Sequence, residues 1–146
     1  MQVQSRTDFT NYNFLVYGTG THREDQTILQ DAGRGAADMV FGTLMAQVPS
    51  SEKWVPFTDE TATDGTQLPI GILLSNVAAA DIVAGDVGEV NIMVTGHILD
   101  ESQLVIENSK TLATVITTAD MTVRSFLRTT GFQFVEGVNT SRVENS

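Results

Sequence analysis

Between Glu89 and Ile98 the chain alternates more cleanly than anywhere else. Val90, Ile92 and Val94 fall on one face, and Asn91, Met93 and Thr95 on the other. Successive side chains of a strand point to opposite sides, so a period of two over this length predicts a half-buried β-strand. Other segments carry strand signals of different kinds. Ile70–Leu74 is apolar apart from Gly71 and reads as a buried strand. Met39-Val40-Phe41 and Leu44-Met45-Ala46 flank Gly42, the pattern of a bulge or a close backbone approach. Trp54-Val55-Pro56-Phe57 is short, and Pro56 directs it to a sheet edge. Phe14–Tyr17 and Phe132–Val135 read as short strands, and Leu104, Val105 and Ile106 form a further apolar patch.

Turn chemistry separates these runs. Thr58–Gln67 holds Asp59, Glu60, Asp64 and Gly65 but no apolar residue larger than Ala62, so it reads as a surface loop turning at Asp64-Gly65. Asn76–Asp81 reads as a turn region, and Ala78–Gly88 is small and punctuated, with a turn at Gly85-Asp86. Thr21–Asp31 is polar except for Ile28-Leu29, a pair that anchors either a loop or one strand end. One helix is predicted, near Ala119–Thr130. Thr118 or Asp120 caps its start, Val123, Phe126 and Leu127 form its apolar face, and Gly131 closes it. Arg124 and Arg128 fall late in that helix, where its dipole favours cations. The expected fold class is therefore mainly β within an α+β arrangement: a strand-rich domain over residues 18–135 with one principal helix near 119–130. An extended N-terminal arm (1–17) precedes it and a polar C-terminal tail (136–146) follows.

Composition bounds the function. The 146 residues are 41% hydrophobic and 18% charged, a globular balance. At this size a domain buries roughly 68–70% of its unfolded surface, so it needs no staple. The net charge is −10 and the eight basic residues are scattered, which argues against nucleic acid and against an anionic membrane as partners. No apolar run reaches the ~18 residues of a membrane-spanning helix. Met1–Arg6 has no basic region leading into an apolar stretch, so it does not read as a secretory signal. The chain has no cysteine, which removes disulfides and thiolate metal sites.

No constellation of residues reads as catalytic, metal-binding or cofactor-binding. His22 and His97 are the only histidines, and neither sits in the context of an oriented base beside a nucleophile. Asp59, Glu60 and Asp64 offer oxygen ligands but lack calcium-loop spacing. Gly18-Thr19-Gly20 has no phosphate-loop continuation, and Gly33-Arg34-Gly35 reads as a turn in which Arg34 makes one interaction. The candidate functional residues are instead Phe9, Tyr12, Phe14 and Tyr17, aromatic anchors in a polar arm. They either fold back on their own domain or dock on a partner.

The order of segments carries a resemblance. Gly33-Arg34-Gly35 precedes a strand, then come the loop with Asp64-Gly65 and the Pro69-Ile70-Gly71-Ile72-Leu73 strand. Val77-Ala78-Ala79-Ala80-Asp81 follows, then the Val90–Gly96 strand, and a closing amphipathic helix with Gly131 before an aromatic strand. Over about Arg34–Val135 this resembles the head decoration proteins of lambda-like tailed bacteriophages. Residues 18–31 and the tail beyond Val135 have no counterpart in that pattern. The resemblance implies a cement protein without catalysis or cofactor, on the outer surface of the virion head. It further implies trimers at capsid three-fold axes and an arm, with Phe9, Tyr12, Phe14 and Tyr17, that reaches the major capsid protein. The alternative is another virion structural protein, such as a tail or fibre accessory protein, which acidity and Thr-rich strands also fit.

Overall fold

The computed structural model describes residues 15–17, 21–95 and 98–135. In chain order the strands begin with β1 (Leu15–Tyr17), β2 (Thr21–Ile28), β3 (Leu44–Gln47), β4 (Trp54–Pro56) and β5 (Pro69–Leu73). Helix α1 (Ala79–Ala84), β6 (Val87–Thr95), β7 (Ile98–Asp100) and a 3-10 turn (Glu101–Gln103) follow. The chain then forms β8 (Val115–Ile116), β9 (Met121–Thr122), α2 (Val123–Thr129) and β10 (Gln133–Val135).

Five strands close a small barrel in the order β2-β4-β3-β5-β6. All neighbours are antiparallel except β4 and β2, whose parallel contact is confined to Ile28 and Trp54. That contact closes the barrel, with Leu29 N–H donating to the Trp54 carbonyl at 2.9 Å. Pro56 lies beyond it, paired only with Met45 of β3. Its missing N–H thus falls where β4 has no second neighbour, an edge position inside a closed barrel.

Apolar residues lie on both faces of the central strands. Ile28, Met45, Trp54, Leu73, Val90 and Ile92 form one buried cluster to which every barrel strand contributes, the barrel interior. Leu44, Ile72, Leu74 and Met93 belong to a second cluster, with Phe57, Leu99, Leu112, Ile116, Val123, Leu127 and Phe132. The predicted alternation in β6 is therefore real, but its other face is also partly buried, through Met93. The Trp54 indole N–H is satisfied by Gln26 Oε1 at 2.9 Å.

Three segments go beyond or depart from the sequence expectation. Thr21–Ile28 is a strand that ends at the buried Ile28, the strand-end alternative rather than the loop anchor. Most of its side chains face water, so hydrophobic periodicity is absent, and it is held by backbone pairing to β6. Ala78–Gly88 contains helix α1, whose buried residues are only Ala79 and Ile82. Six residues with two buried positions are too few to show a helical period. Ile82 joins the barrel-interior cluster beside Met39 and Val77, which pair across a bridge. Met39–Phe41 is accordingly a bridge and turn rather than a strand, and Gly42 adopts φ 93° there.

The predicted principal helix is α2, shorter than expected. Thr122 caps it, rather than Thr118 or Asp120, by accepting from Ser125 N–H at 3.1 Å. Ala119 and Asp120 instead bond back to Ile116, and Asp120 takes φ 54° in the turn between β8 and β9. The helix ends in a Schellman motif: Phe132 N–H donates to the Leu127 carbonyl (3.2 Å) and Gly131 N–H to that of Arg128 (3.1 Å). Gly131 supplies the required positive φ, 100°. Val123 and Leu127 are fully buried, while Phe126 is half-buried against the same cluster.

Gly71 marks a close approach inside the barrel. A Cβ there would stand 2.5 Å from Ile92 Cγ2 and 2.8 Å from Trp54 Cζ3. Gly71→Ala should therefore cost about 1–3 kcal/mol through overpacking, read from the urea midpoint. A loss under about 0.5 kcal/mol, the range of an ordinary surface change, would contradict this packing.

Candidate functional site

The N-terminal arm joins the fold at a three-stranded sheet, β1-β7-β10. Leu15 pairs with Leu99 and Tyr17 with Ile98, antiparallel, while β10 runs parallel to β7 with Val135 opposite Asp100. Leu15 and Val135 therefore lie toward the same end of this sheet, the Leu99–Asp100 end. Of the four aromatic candidates, Tyr17 lies in β1, and Phe9, Tyr12 and Phe14 lie outside the described residues. The sequence marked Phe14–Tyr17 as strand-like but gave no sign that its partner would be 98–100, more than 80 residues away.

Leu99 and Phe132, both fully buried, root this sheet in the outer cluster. Asp100 is buried and accepts from the Ser102 backbone N–H (3.0 Å) and hydroxyl (2.7 Å), which fixes the turn into Glu101. Glu101 receives both Arg124 guanidinium nitrogens. The Arg124 guanidinium also stands 5.8 Å from the centroid of the Phe134 ring. One cation thus ties α2, β10 and the end of β7 together.

Two further ion pairs fasten the loop at 107–110 to the barrel side. Arg34 reaches Glu107 in a bidentate pair (3.1 and 2.5 Å) and also donates to the Ala37 and Asp38 carbonyls. Its side chain is 5% exposed, so the expectation of a single interaction in a plain turn is corrected. Lys110 Nζ stands 2.7 Å from Glu60 Oε1. Asn108, between them, donates to the Thr58 carbonyl at 3.1 Å. These partners are 50 to 73 positions apart in sequence, beyond the reach of local pattern reading.

Within the acidic loop, Asp59 and Asp64 use their carboxylates on the loop's own structure. Asp59 Oδ1 accepts from Thr61 and Asp64 Oδ1 from Thr66, each through backbone N–H and hydroxyl. Among the described residues no group of three or more His, Cys, Asp or Glu side chains is placed to hold a metal. His22 is on the exposed part of β2, 3.6 Å from Glu24, and His97 lies outside the described residues.

Comparison with known proteins now decides the family. The family described as bacteriophage lambda head decoration protein D matches residues 5–119. The protein belongs to the phage head decoration family. No curated protein and no solved structure matches the chain. The family is one of structural capsid proteins rather than known enzymes, and membership associates this protein with the capsid of the virion. The matched span differs from the Arg34–Val135 over which the order of segments resembles the family. It takes in Thr21–Ile28, which had seemed without counterpart, and stops before α2, Gly131 and the aromatic β10. The closing helix therefore adds nothing to the family assignment.

Two outcomes follow from these contacts. Glu107→Gln leaves the buried Arg34 charge without its partner and should cost about 3 kcal/mol in chemical denaturation. Pairing it with Arg34→Met should restore part of that loss, and a double variant no better than the sum of the singles would contradict the coupling. The second concerns pH. A hydrogen bond from Arg124 lowers the Glu101 pKa, one from Lys110 lowers that of Glu60, and bonds from Lys53 and then the Gln30 N–H lower that of Asp86. Bonds from Thr61 and Thr66 lower Asp59 and Asp64. Each group favours the folded state when charged, so its contribution is complete above the ordinary values of 4.5 for Glu and 3.8 for Asp. It is lost as pH falls through and below them. Melting temperature should drop on acidification through that range, and a flat or rising profile would contradict the assignment.

Proposed function

We propose that the protein binds the outer surface of the assembled phage head, contacts the major capsid protein through its N-terminal arm, and cements the shell. The observation that supports this reading is the family match, which covers 115 of the 146 residues and begins within the arm, at residue 5. The geometry is compatible with it. The arm leaves the folded region at β1, at the edge of a sheet rooted by Leu99 and Phe132, so an arm attached there transmits force to a buried core.

Cementing needs no reaction. A ligand that binds the assembled shell but not free coat subunits stabilises the assembly by mass action, about 2.7 kcal/mol per site at one hundred times the Kd. The arm contributes by ordering on contact. Fixing each backbone residue costs roughly 1–2 kcal/mol, and buried aromatic anchors return ~2 kcal/mol or more each. Phe9, Tyr12, Phe14 and Tyr17 are the residues proposed to do this. Trimers at the three-fold axes complete the reading, since closed symmetry lets each copy brace its neighbours.

Deleting residues 1–13 tests the arm directly. The cut leaves Leu15–Tyr17 intact, so the melting temperature should hold while co-sedimentation with capsids falls sharply. Unchanged capsid affinity with a lowered melting temperature would make the arm a structural element and overturn its proposed role.

A further inference from the structure

The barrel is fastened between β2 and β4 at one place only. β2 meets β4 at Ile28 and Trp54, and among the described residues 21–27 have no strand partner other than β6. Such an edge is a template for another chain, because its free N–H and C=O groups can pair with any extended segment. We propose that this gap is guarded against a second copy of the chain adding edge to edge, with Asp25 the principal guard on β2 and Pro56 its counterpart on β4.

Four observations carry the proposal. First, β2 is bulged in the middle of its open stretch. Arg23 pairs with Ile92 and Gln26 with Val90, so Glu24 and Asp25 together stand opposite the single Asn91. Asp25 takes left-handed backbone there, φ 57°. An extra residue bends the strand and breaks the even spacing of groups that an incoming strand would need. A second irregularity cancels the first: Gly88 and Glu89, the latter at φ 61°, stand opposite Thr27 alone. The ladder is back in step at Ile28 and Val87, so the closed end of the barrel keeps its register.

Second, Arg23, Glu24 and Asp25 are all exposed and charged, and charge on an edge opposes the approach of another strand. Third, the Glu24 carbonyl is already engaged. Gln26 Nε2 donates to it at 3.0 Å while Gln26 Oε1 accepts the Trp54 indole N–H at 2.9 Å. Fourth, the other side of the gap is blunted too. Pro56 has no N–H to offer at the position where β4 lacks a second neighbour. The inference is independent of the proposed capsid-binding role, since it concerns what the free edge excludes.

Two variants of the full-length chain remove the guard on β2. Arg23→Val with Glu24→Thr takes away charge and keeps the bulge. The second variant adds deletion of Asp25, which leaves Glu24→Thr alone opposite Asn91. A control, Arg128→Val with Asp81→Thr, makes the same change of composition at exposed helix positions. In sedimentation over a concentration series, the deletion variant should self-associate at about tenfold lower concentration than the native chain or the control, and the charge variant at about threefold lower. Amide exchange at residues 21–26 should slow as the folded variants associate, which places the contact on this edge. Should the deletion prevent folding, the charge variant carries both readouts alone. Association no stronger than in the control, or exchange at residues 21–26 unchanged by association, would overturn the proposal. So would a deletion variant that melts earlier without associating, which would leave the bulge only the task of turning Val90 into the barrel interior.

Discussion

The fold depends on burying both faces of three strands at once. β3, β5 and β6 each supply residues to the barrel interior and to the outer cluster: Met45 and Leu44, Leu73 and Ile72, Ile92 and Met93. Burying each such side chain is worth about 1.5–3 kcal/mol, so neither face is dispensable. The barrel alone would leave Leu44, Ile72, Leu74 and Met93 in water. The segment from Leu99 to Phe132 covers them with Leu99, Leu112, Ile116, Val123, Leu127 and Phe132. Stability of the barrel and of its C-terminal cover is thereby one quantity, although the family match ends at residue 119.

Polar contacts then set the register of cover on barrel. Arg34–Glu107, Asn108–Thr58 and Lys110–Glu60 all act through three residues of the stretch 107–110. Asn108 and Ser109 both hold left-handed backbone, φ 61° and 60°, which turns the loop sharply enough for its ends to reach different segments. A conformation that L-residues seldom adopt persists here because the flanking ion pairs fix it. The same seam makes the protein sensitive to acid, since protonating Glu60 removes the partner of Lys110, while protonating Glu101 removes the partner of Arg124 within the cover itself.

Legibility followed hydrophobic contrast. β5 was readable as a short apolar run holding Ile72 and Leu73, and β6 and α2 because their apolar residues recur at the period of the element, Val90 and Ile92 two apart, Val123 and Leu127 four apart. β2 was not, because His22, Arg23, Glu24 and Asp25 all face solvent and only backbone pairing makes them a strand. α1 was not, because an Ala-rich turn of six residues has no period to detect. At the candidate site the aromatic arm residues stood out by type. Their attachment point did not, because pairing between Leu15 and Leu99 is a property of the closed fold and leaves no local trace. The family was legible as an order of weak pieces, though its reach was misjudged at both ends, at Thr21–Ile28 and at Gly131.

A decoration protein is defined by where it sits. The most direct measurement is cryo-electron microscopy of purified heads that lack the protein, before and after incubation with the full-length chain. The account predicts added density on the outer surface, clustered about the three-fold positions, with copies touching one another and an arm running from the β1 end into the coat. Heads that gain no density, or isolated copies bound away from every symmetry axis, would contradict it.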